Sequence, residues 1–227
     1  MPRKADDAGQ PGARKSKVFL VDDHPVLRQG LGKLINDQPD MAVCGEAESP
    51  PHALDGIGRT KPDLVLLDLS LAGGDGMELC KQLQEQHQGL PVLIISMHDE
   101  SLYAERCLRA GAMGYVMKQE PPERVMSAIR KVLSGNIHLS EAMSAKLLRN
   151  LAGVRNADAS PLERLSDSEL EIFRLIGKGH SVRSIAEELF LSPKTVEAHK
   201  EHIKQKLNLK TSNELLQYAI EARDSEV

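Results

Sequence analysis

The chain of 227 residues contains no tryptophan, and only 3% of its residues are aromatic. Its hydrophobic core must therefore be built from Leu, Ile, Val, Met and Ala, as in helix-rich α/β and all-α domains. The sequence also lacks any apolar run near the roughly 20 residues that a membrane-spanning helix requires. The polar first 16 residues lack the apolar segment of a secretion signal. These absences predict a cytoplasmic protein without membrane contact.

Cysteine is also scarce, and the chain has no excess of positive charge. Cys44, Cys80 and Cys107 are odd in number, far apart and embedded in apolar patterns. We interpret them as buried thiols of a reducing compartment, not as disulfides or zinc ligands. The formal charge of -4 is not that of a nucleic-acid-binding protein on average. Local charge is uneven, however, and residues 1–15 are predicted to form a disordered, basic tail.

Short apolar segments alternate with amphipathic segments from Lys17 to about Gly135. The predicted strands are residues 18–21, 42–44, 64–67, 92–95 and 114–117, and the predicted helices are residues 25–37, 51–60, 75–86, 100–110 and 122–134. This alternation predicts an α/β domain with a doubly wound, five-stranded parallel sheet. Functional sites of such sheets form outside the carboxyl ends of the strands.

The remainder of the chain has a purely helical pattern. A helix is predicted at residues 140–151, followed by a flexible linker at residues 153–161. Four helices follow at residues 166–178, 181–189, 193–207 and 212–222, and typical capping residues precede three of them. The short connection 190–192 between the middle two predicts a helix-turn-helix in a small all-α domain.

Polar side chains stand at the ends of four predicted strands. Asp22 and Asp23 follow the first strand, Asp68 follows the third, Ser96 follows the fourth and Lys118 follows the fifth. Clustered carboxylates favour a hard cation such as Mg²⁺ with oxygen ligands. Phosphoryl transfer requires an acceptor oxygen, a metal and cationic or hydroxyl groups around the remaining oxygens. The set therefore predicts a magnesium-dependent phosphoryl-transfer site with Asp68 as the acceptor.

At these residues the sequence resembles the receiver domains of two-component response regulators. The motifs are VDDHP at 21–25, LLDLSLAGGDG at 66–76, IIS at 94–96 and GAMGYVMK at 111–118. The resemblance implies that Asp68 is the phosphoacceptor and that Lys118 pairs with the phosphoryl group. It also implies a histidine kinase as the phosphoryl donor.

The resemblance assigns roles to further residues. Asp22 and Asp23 would hold Mg²⁺ together with Asp68 and the backbone carbonyl of Ser70. Ser96 would supply the hydroxyl that turns toward the phosphoryl group. Tyr115 would be the aromatic switch that moves inward as the hydroxyl turns.

Four positions leave the lifetime of the phosphoryl group open. Ala72 replaces the proline common in this turn, and Gln119 follows Lys118 in place of proline or an acid. Ser70 and His98 occupy the positions that flank the attacking water in this family. We interpret His98 itself as a polar loop residue.

The second half resembles the LuxR-type helix-turn-helix of the NarL/FixJ class through LSDSELEIFRLIGKGHSVRSIAEELFLSPKTVEAHKEHIKQKLNLKT at 165–211. Val196, Ile203 and Leu207 share one face at helical spacing and are expected to pack inward. The segment 192–210 has five lysines against two glutamates, which favours contact with DNA phosphates. The predicted DNA-contacting residues are Lys194, Thr195, Glu197, Ala198, Lys200, Glu201, Lys204 and Lys206.

Among these residues, Glu197 or Glu201 is expected to accept a hydrogen bond from cytosine, and Ala198 to contact a thymine methyl group. His199 and His202 lie near the same face, and the sequence offers no metal-ligand partner for them. We treat both as helix-surface residues.

The sequence therefore predicts a phosphorylation-dependent transcription regulator that is not an enzyme beyond its own phosphotransfer and dephosphorylation. The predicted parts are a tail at 1–15, a receiver at 16–136, a linker with a helix at 137–163 and a DNA-binding domain at 164–227. Its expected partners are a histidine kinase, promoter DNA, RNA polymerase and a second copy of the chain in a homodimer. One alternative is a constitutive DNA-binding regulator whose receiver serves as a protein-interaction module. A second alternative is a haloacid-dehalogenase-type phosphatase. This alternative is disfavoured, because such an enzyme would need a second acid at the position of Ser70.

Overall fold

The computed structural model describes residues 14–71, 74–152, 160–189 and 191–225. The predicted disordered tail lies outside these ranges up to residue 13. The turn residue Ala72, the linker residues 153–159 and Phe190 of the helix-turn-helix connection also lie outside them. Within the described ranges, no helix is long and apolar enough to cross a membrane.

The first half of the chain forms the predicted parallel sheet with helices on both faces. Its elements are β1 (Ser16–Val21), α1 (Pro25–Asn36), β2 (Met41–Ala47), α2 (Pro50–Thr60), β3 (Leu64–Leu67), β4 (Ser70–Leu71), β5 (Gly74–Asp75), α3 (Gly76–Gln86), β6 (Val92–Ser96), α4 (Glu100–Arg109), β7 (Gly114–Met117) and α5 (Pro122–Leu133). The strand order is β2-β1-β3-β6-β7, and every neighbouring pair is parallel. The predicted fold is therefore confirmed. The two-residue antiparallel ladder of β4 and β5 was not predicted.

The sheet is buried on both faces, which explains why its strands are continuous apolar runs. Leu20 and Leu66 pack with α1 and α5 on one face. Phe19, Val65 and Ile94 pack with α2, α3 and α4 on the other face. Cys80 and Cys107 are buried there, as predicted. Cys44 is only partly buried, because it lies on the edge strand β2.

Gly76 allows α3 to begin directly against the end of β3. A Cβ atom at this position would lie 2.3 Å from the backbone oxygen of Asp68 and 2.6 Å from the Cα of Leu69. Only glycine permits such a close backbone approach. The Asp75 side chain caps α3 by accepting a hydrogen bond from the Met77 amide at 2.8 Å.

The second half is helical, as predicted. Its elements are α6 (Glu141–Leu151), the one-turn 3₁₀ helix η1 (Pro161–Arg164), α7 (Asp167–Gly177), α8 (Val182–Glu188), α9 (Pro193–Leu207) and α10 (Ser212–Ser225). The capping box of Ser166 and Glu169 is present, and Ser192 caps α9 through the Thr195 amide at 3.0 Å. The helix η1 begins in the segment predicted as a linker. The Ser160 side chain caps its start by accepting a hydrogen bond from the Leu162 amide.

The helical half packs against the sheet domain through both apolar and charged contacts. The core cluster on the α3–α4 face continues into Leu162, Leu165 and Leu170. Arg106 of α4 donates to Asp167 Oδ1 at 2.9 Å and to the Leu165 carbonyl at 2.7 Å. The two halves therefore share a buried boundary that sequence periodicity does not reveal.

Candidate functional site

Three carboxylates meet at the carboxyl edge of the sheet because β1 and β3 are neighbours. Val21 is paired with Leu67, so the residues that follow each strand lie side by side. The Asp68 amide donates to the Val21 carbonyl at 2.8 Å. Asp22 and Asp68 are only 2% and 1% exposed, whereas Asp23 is partly buried. Buried carboxylates of this kind require a partner cation.

Lys118 supplies that positive charge. Its ammonium lies 2.7 Å from Asp22 Oδ2 and 2.7 Å from Asp68 Oδ2. Lys118 follows β7, and its amide donates a hydrogen bond of 2.8 Å to the carbonyl of Ser96 at the end of β6. Since β6 is the neighbour of β3, the lysine side chain can reach Asp68 at the end of β3. The predicted grouping of these residues at one sheet edge is thus present in the structure.

The charge state of Asp68 is set by two opposing effects. Burial raises the pKa of the Asp68 carboxyl group, and the ammonium of Lys118 partly offsets this by favouring the carboxylate. The nearby charge of Asp22 raises the pKa further. Lys118 thus favours the carboxylate form of Asp68, which is the form in which a carboxyl group can act as a nucleophile.

The same edge of the sheet offers a set of metal ligands. Asp22, Asp23, His24 and Asp68 each provide one ligand atom, and these atoms lie within 4.8 Å of one another. The three carboxylates fit a hard cation such as Mg²⁺. His24 was not among the predicted ligands, and its Nδ1 atom lies 2.7 Å from Asp23 Oδ1. Its position directly after two acids was the only available signal.

Ser96 and Tyr115 lie beneath this site and are almost completely buried. The Ser96 hydroxyl accepts a hydrogen bond from the His98 amide at 3.2 Å. The Tyr115 ring points inward with 1% exposure, and its hydroxyl donates to the His98 carbonyl at 2.7 Å. Both residues therefore hold the loop after β6, which links the site to α4.

His98 lies in that loop, as predicted, but its side chain is buried and contacts residues of other elements. The side chain is buried and stacks on Tyr103 with ring centroids 4.8 Å apart. Its Nε2 atom lies 2.8 Å from the Ser70 hydroxyl and 2.9 Å from Nη1 of Arg174. Burial and the charge of Arg174 lower the pKa of His98 to about 3, so the imidazole is neutral at neutral pH. Arg174 comes from α7 and carried no sequence signal.

The helix α9 presents the predicted surface in the second domain. Val196 and Ile203 are fully buried and Leu207 is partly buried, as its helical periodicity predicted. Lys194, Ala198 and Glu201 are exposed. Since α9 is the second helix of the helix-turn-helix, this exposed face is the candidate DNA-reading surface.

Several predicted DNA contacts are paired with each other on α9. Lys200 lies 3.1 Å from Glu197, and Lys204 lies 2.8 Å from Glu201. Both lysine side chains are largely buried, with 16% and 13% exposure. To bind a DNA phosphate group, each lysine must either break its ion pair with the glutamate or contact the glutamate and the phosphate at the same time.

Glu169 of α7 lies next to His199 and His202 of α9, a contact that the sequence did not predict. Ligand atoms of His199, His202 and Glu169 lie within 4.8 Å of one another, so the expectation that both histidines lack a possible metal-ligand partner is wrong. Glu169 Oε2 is already engaged, since it accepts from Lys206 at 2.6 Å and from the Ser166 amide at 2.7 Å. These contacts give Glu169 a structural role between α7 and α9.

A phosphoacceptor-type carboxylate site on a doubly wound sheet, joined to a helix-turn-helix, defines a receiver coupled to a DNA-binding domain. Residues 18–130 match the response regulator receiver domain family, and residues 163–219 match the luxR family of bacterial regulatory proteins. The chain belongs to the two-component response regulators of the NarL/FixJ class, which are DNA-binding transcription regulators.

Relatives align along almost the whole chain. The oxygen regulatory protein NreC of Staphylococcus carnosus is 38% identical over 212 residues, covering 91% of this chain and 98% of that protein. The structure of RcsB from Salmonella enterica serovar Typhimurium, bound to promoter P1flhDC in the presence of phosphomimetic BeF3-, aligns with a TM-score of 0.70 at 26% identity, covering 91% and 98% of the two chains. The response regulator ChrA of a heme-sensing two-component system is 31% identical, covers 92% of this chain and 98% of its own, and has a TM-score of 0.51.

Proposed function

We propose that Asp68 accepts a phosphoryl group from a histidine kinase and that this modification controls DNA binding. The observation that carries the proposal is the Lys118 ammonium, 2.7 Å from carboxylate oxygens of both Asp22 and Asp68. This cation keeps the acceptor ionised and stands ready to neutralise the oxygens of an incoming phosphoryl group. In the transfer, a bond forms between Asp68 and phosphorus as the phosphorus–nitrogen bond of the phosphohistidine breaks.

Asp22, Asp23, Asp68 and the backbone carbonyl of Ser70 would hold Mg²⁺. When bound, the metal neutralises charge on the phosphoryl oxygens. Asp22 and Asp23 orient it, and the buried setting keeps bulk water away. Beneath the acceptor, Ser96 would exchange its bond with the His98 amide for one with the phosphoryl group. Tyr115, whose ring is 1% exposed, would be the aromatic switch.

The DNA-binding part of the proposal concerns α9. Lys194, Thr195, Lys200, Lys204 and Lys206 would contact phosphates, and the exposed face would read bases. A single helix-turn-helix covers a short half-site, so we expect a homodimer on half-sites about 10 bp apart or a multiple of that. Solved structures of RcsB include two dimers bound to two parallel DNAs, which supports a dimeric arrangement. RNA polymerase would then be contacted at the promoter.

The proposed domain limits are 16–136 for the receiver, 137–163 for the linker and 164–227 for the DNA-binding domain, with a tail at 1–15. The phosphotransfer and dephosphorylation of Asp68 would be the only reactions of the protein. We expect a cytoplasmic location, because both proposed partners are found there. One is the ATP-dependent domain of a histidine kinase, and the other is chromosomal DNA.

The proposal is tested by incubating the full chain with Mg²⁺ and ³²P-labelled acetyl phosphate. We expect Mg²⁺-dependent labelling that is lost in Asp68→Asn and kept in Asp55→Asn, an exposed aspartate on α2. DNA sequences selected from a random pool should bind more tightly after phosphorylation. Labelling without any change in DNA affinity or dimerisation would instead support the alternative of a constitutive regulator with a receiver used for protein contacts.

Base reading by α9 requires a separate test. Binding-site selection should compare the wild type with Glu197→Ala and Glu201→Ala. We expect one variant to lose a cytosine preference worth about 1–3 kcal/mol. Unchanged base preference in both variants would exclude a reading role for either glutamate.

A further inference from the structure

Arg174 of α7 reaches across the domain boundary into the receiver site. Its Nη1 atom lies 2.9 Å from His98 Nε2 and 3.3 Å from the Ser70 hydroxyl. The side chain is only 14% exposed and forms an ion pair with Glu171 on the same helix. Because a buried arginine charge is costly unless it is fully hydrogen-bonded, these contacts fix its position.

The chemistry of the contact determines which atoms donate. A guanidinium group has no acceptor atom, so His98 Nε2 must accept from Arg174. The Ser70 hydroxyl lies 2.8 Å from the same nitrogen. The side chains of Arg174, His98 and Ser70 therefore each contact the other two. The lone pair of His98 Nε2 accepts the hydrogen bond from Arg174.

This group of three side chains is directly connected to the acceptor. The Ser70 amide donates to Asp68 Oδ1 at 3.2 Å, and the His98 amide donates to the Ser96 hydroxyl at 3.2 Å. Lys118 binds the other oxygen of Asp68, so the two sides of the carboxylate have different neighbours. The Oδ1 side leads through Ser70 to Arg174 and the second domain.

The space at the domain boundary beside His98 is small. The boundary near His98 and Tyr103 contains a cavity of about 20 Å³, also lined by Leu170 and Glu171 of the second domain. Such a volume holds roughly one water molecule. The apolar residues Leu69 and Leu170 belong to the core cluster that continues across the boundary.

We propose that Arg174 is a positioning residue that prolongs the lifetime of the phosphoryl group on Asp68, an inference that rests on the proposed function. In hydrolysis, the oxygen of water bonds to phosphorus and the bond between phosphorus and Asp68 breaks. The carboxylate leaves with its electron pair, and the protons of water go to inorganic phosphate and solvent. By holding Ser70 and His98 in place, Arg174 restricts where that water can stand. Docking of the DNA-binding domain thereby slows the loss of the signal.

The experiment labels the full chain with ³²P-acetyl phosphate and Mg²⁺, removes the donor and follows the loss of label. Loss of one or two hydrogen bonds at the site predicts that Arg174→Ala loses its label about three- to tenfold faster than the wild type. Arg174→Lys keeps the charge but not the fork, so its rate should fall between the two. Arg183→Ala is the matched control, because Arg183 is exposed on α8 and pairs only with Glu187 among the ion pairs of the described residues.

A variant that combines several substitutions distinguishes positioning of Ser70 and His98 by Arg174 from a purely structural role of Arg174. If Arg174 acts through Ser70 and His98, its replacement should have no further effect on the hydrolysis rate in a Ser70→Ala, His98→Ala background. An unchanged lifetime in Arg174→Ala, or an undiminished effect in that background, would overturn the inference. Failure of the wild type to take up label would instead refute the proposed function. Circular dichroism of each variant checks that it is folded.

Discussion

Among single residues, the buried carboxylate of Asp68, the proposed phosphoacceptor, lowers the stability of the fold at neutral pH. The carboxylate is buried beside Asp22, and one ammonium, that of Lys118, lies within 2.7 Å of both. Burial and the neighbouring acid raise the pKa of Asp68, and Lys118 lowers it only in part. The ionised acceptor is therefore less stable in the folded protein than it would be in water.

Replacing Asp68 by asparagine should stabilise the protein at neutral pH. A raised pKa in the folded state means that the stability contribution of Asp68 is present at low pH and is lost as the pH rises through that pKa. We expect the free energy of unfolding of Asp68→Asn to exceed that of the wild type by about 1 kcal/mol at neutral pH, and the difference to shrink toward about pH 4. Urea denaturation without Mg²⁺ measures both values. Asp55→Asn, which removes only a surface ion pair, should show little change.

At the scale of elements, α7 and α9 are joined by one buried carboxylate. Glu169 closes the capping box at the start of α7 and also pairs with Lys206 near the end of α9. Burial alone would raise the pKa of Glu169, but the hydrogen bonds from Lys206 and Ser166 outweigh it and lower the pKa. A single side chain thus caps the start of α7 and binds α9, the candidate DNA-reading helix.

Glu169→Gln should therefore weaken the second domain. We expect a loss of about 2 kcal/mol in the free energy of unfolding at neutral pH, because a charged acceptor of two hydrogen bonds is removed. A lowered pKa means that the stabilisation is present above the unfolded-state pKa and is lost as the pH falls through the folded-state value. The difference between variant and wild type should accordingly narrow in acid. Denaturation curves at several pH values test this, with Glu187→Gln on the exposed face of α8 as the control; an equal effect of both substitutions would contradict it.

In the whole molecule, the receiver and the DNA-binding domain share a boundary at which basic side chains bind acceptors across the packed elements. Arg106 of α4 is 10% exposed and donates to Asp167 and to the Leu162 and Leu165 carbonyls. Lys146 of α6 bridges the Ser101 carbonyl and Glu163. Arg106 lines the same boundary cavity as His98, so these contacts lie close to the candidate site.

Arg106→Ala should loosen this arrangement. Loss of charge-assisted hydrogen bonds worth about 2 kcal/mol would raise the ratio of undocked to docked molecules about thirtyfold. Small-angle X-ray scattering should then show a larger radius of gyration for the unphosphorylated variant. Arg109→Ala is a matched control on the same helix, since Arg109 is 73% exposed and pairs with Glu105. An unchanged radius in Arg106→Ala would show that the apolar contacts suffice for docking.

The amino-acid pattern alone was enough to predict the sheet, the order of its helices, several helix caps and the clustering of Asp22, Asp68 and Lys118. These follow from local rules, since periodicity sets each element and parallel strands place their ends at one edge. The folded structure was needed to show that His98 is buried, that Glu169 lies beside the histidines of α9, and that Arg174 enters the receiver site. Glu169 lies 30 positions before His199, and His98 lies 76 positions before Arg174. A boundary between packed elements leaves no periodic signal, because it depends on how whole elements dock.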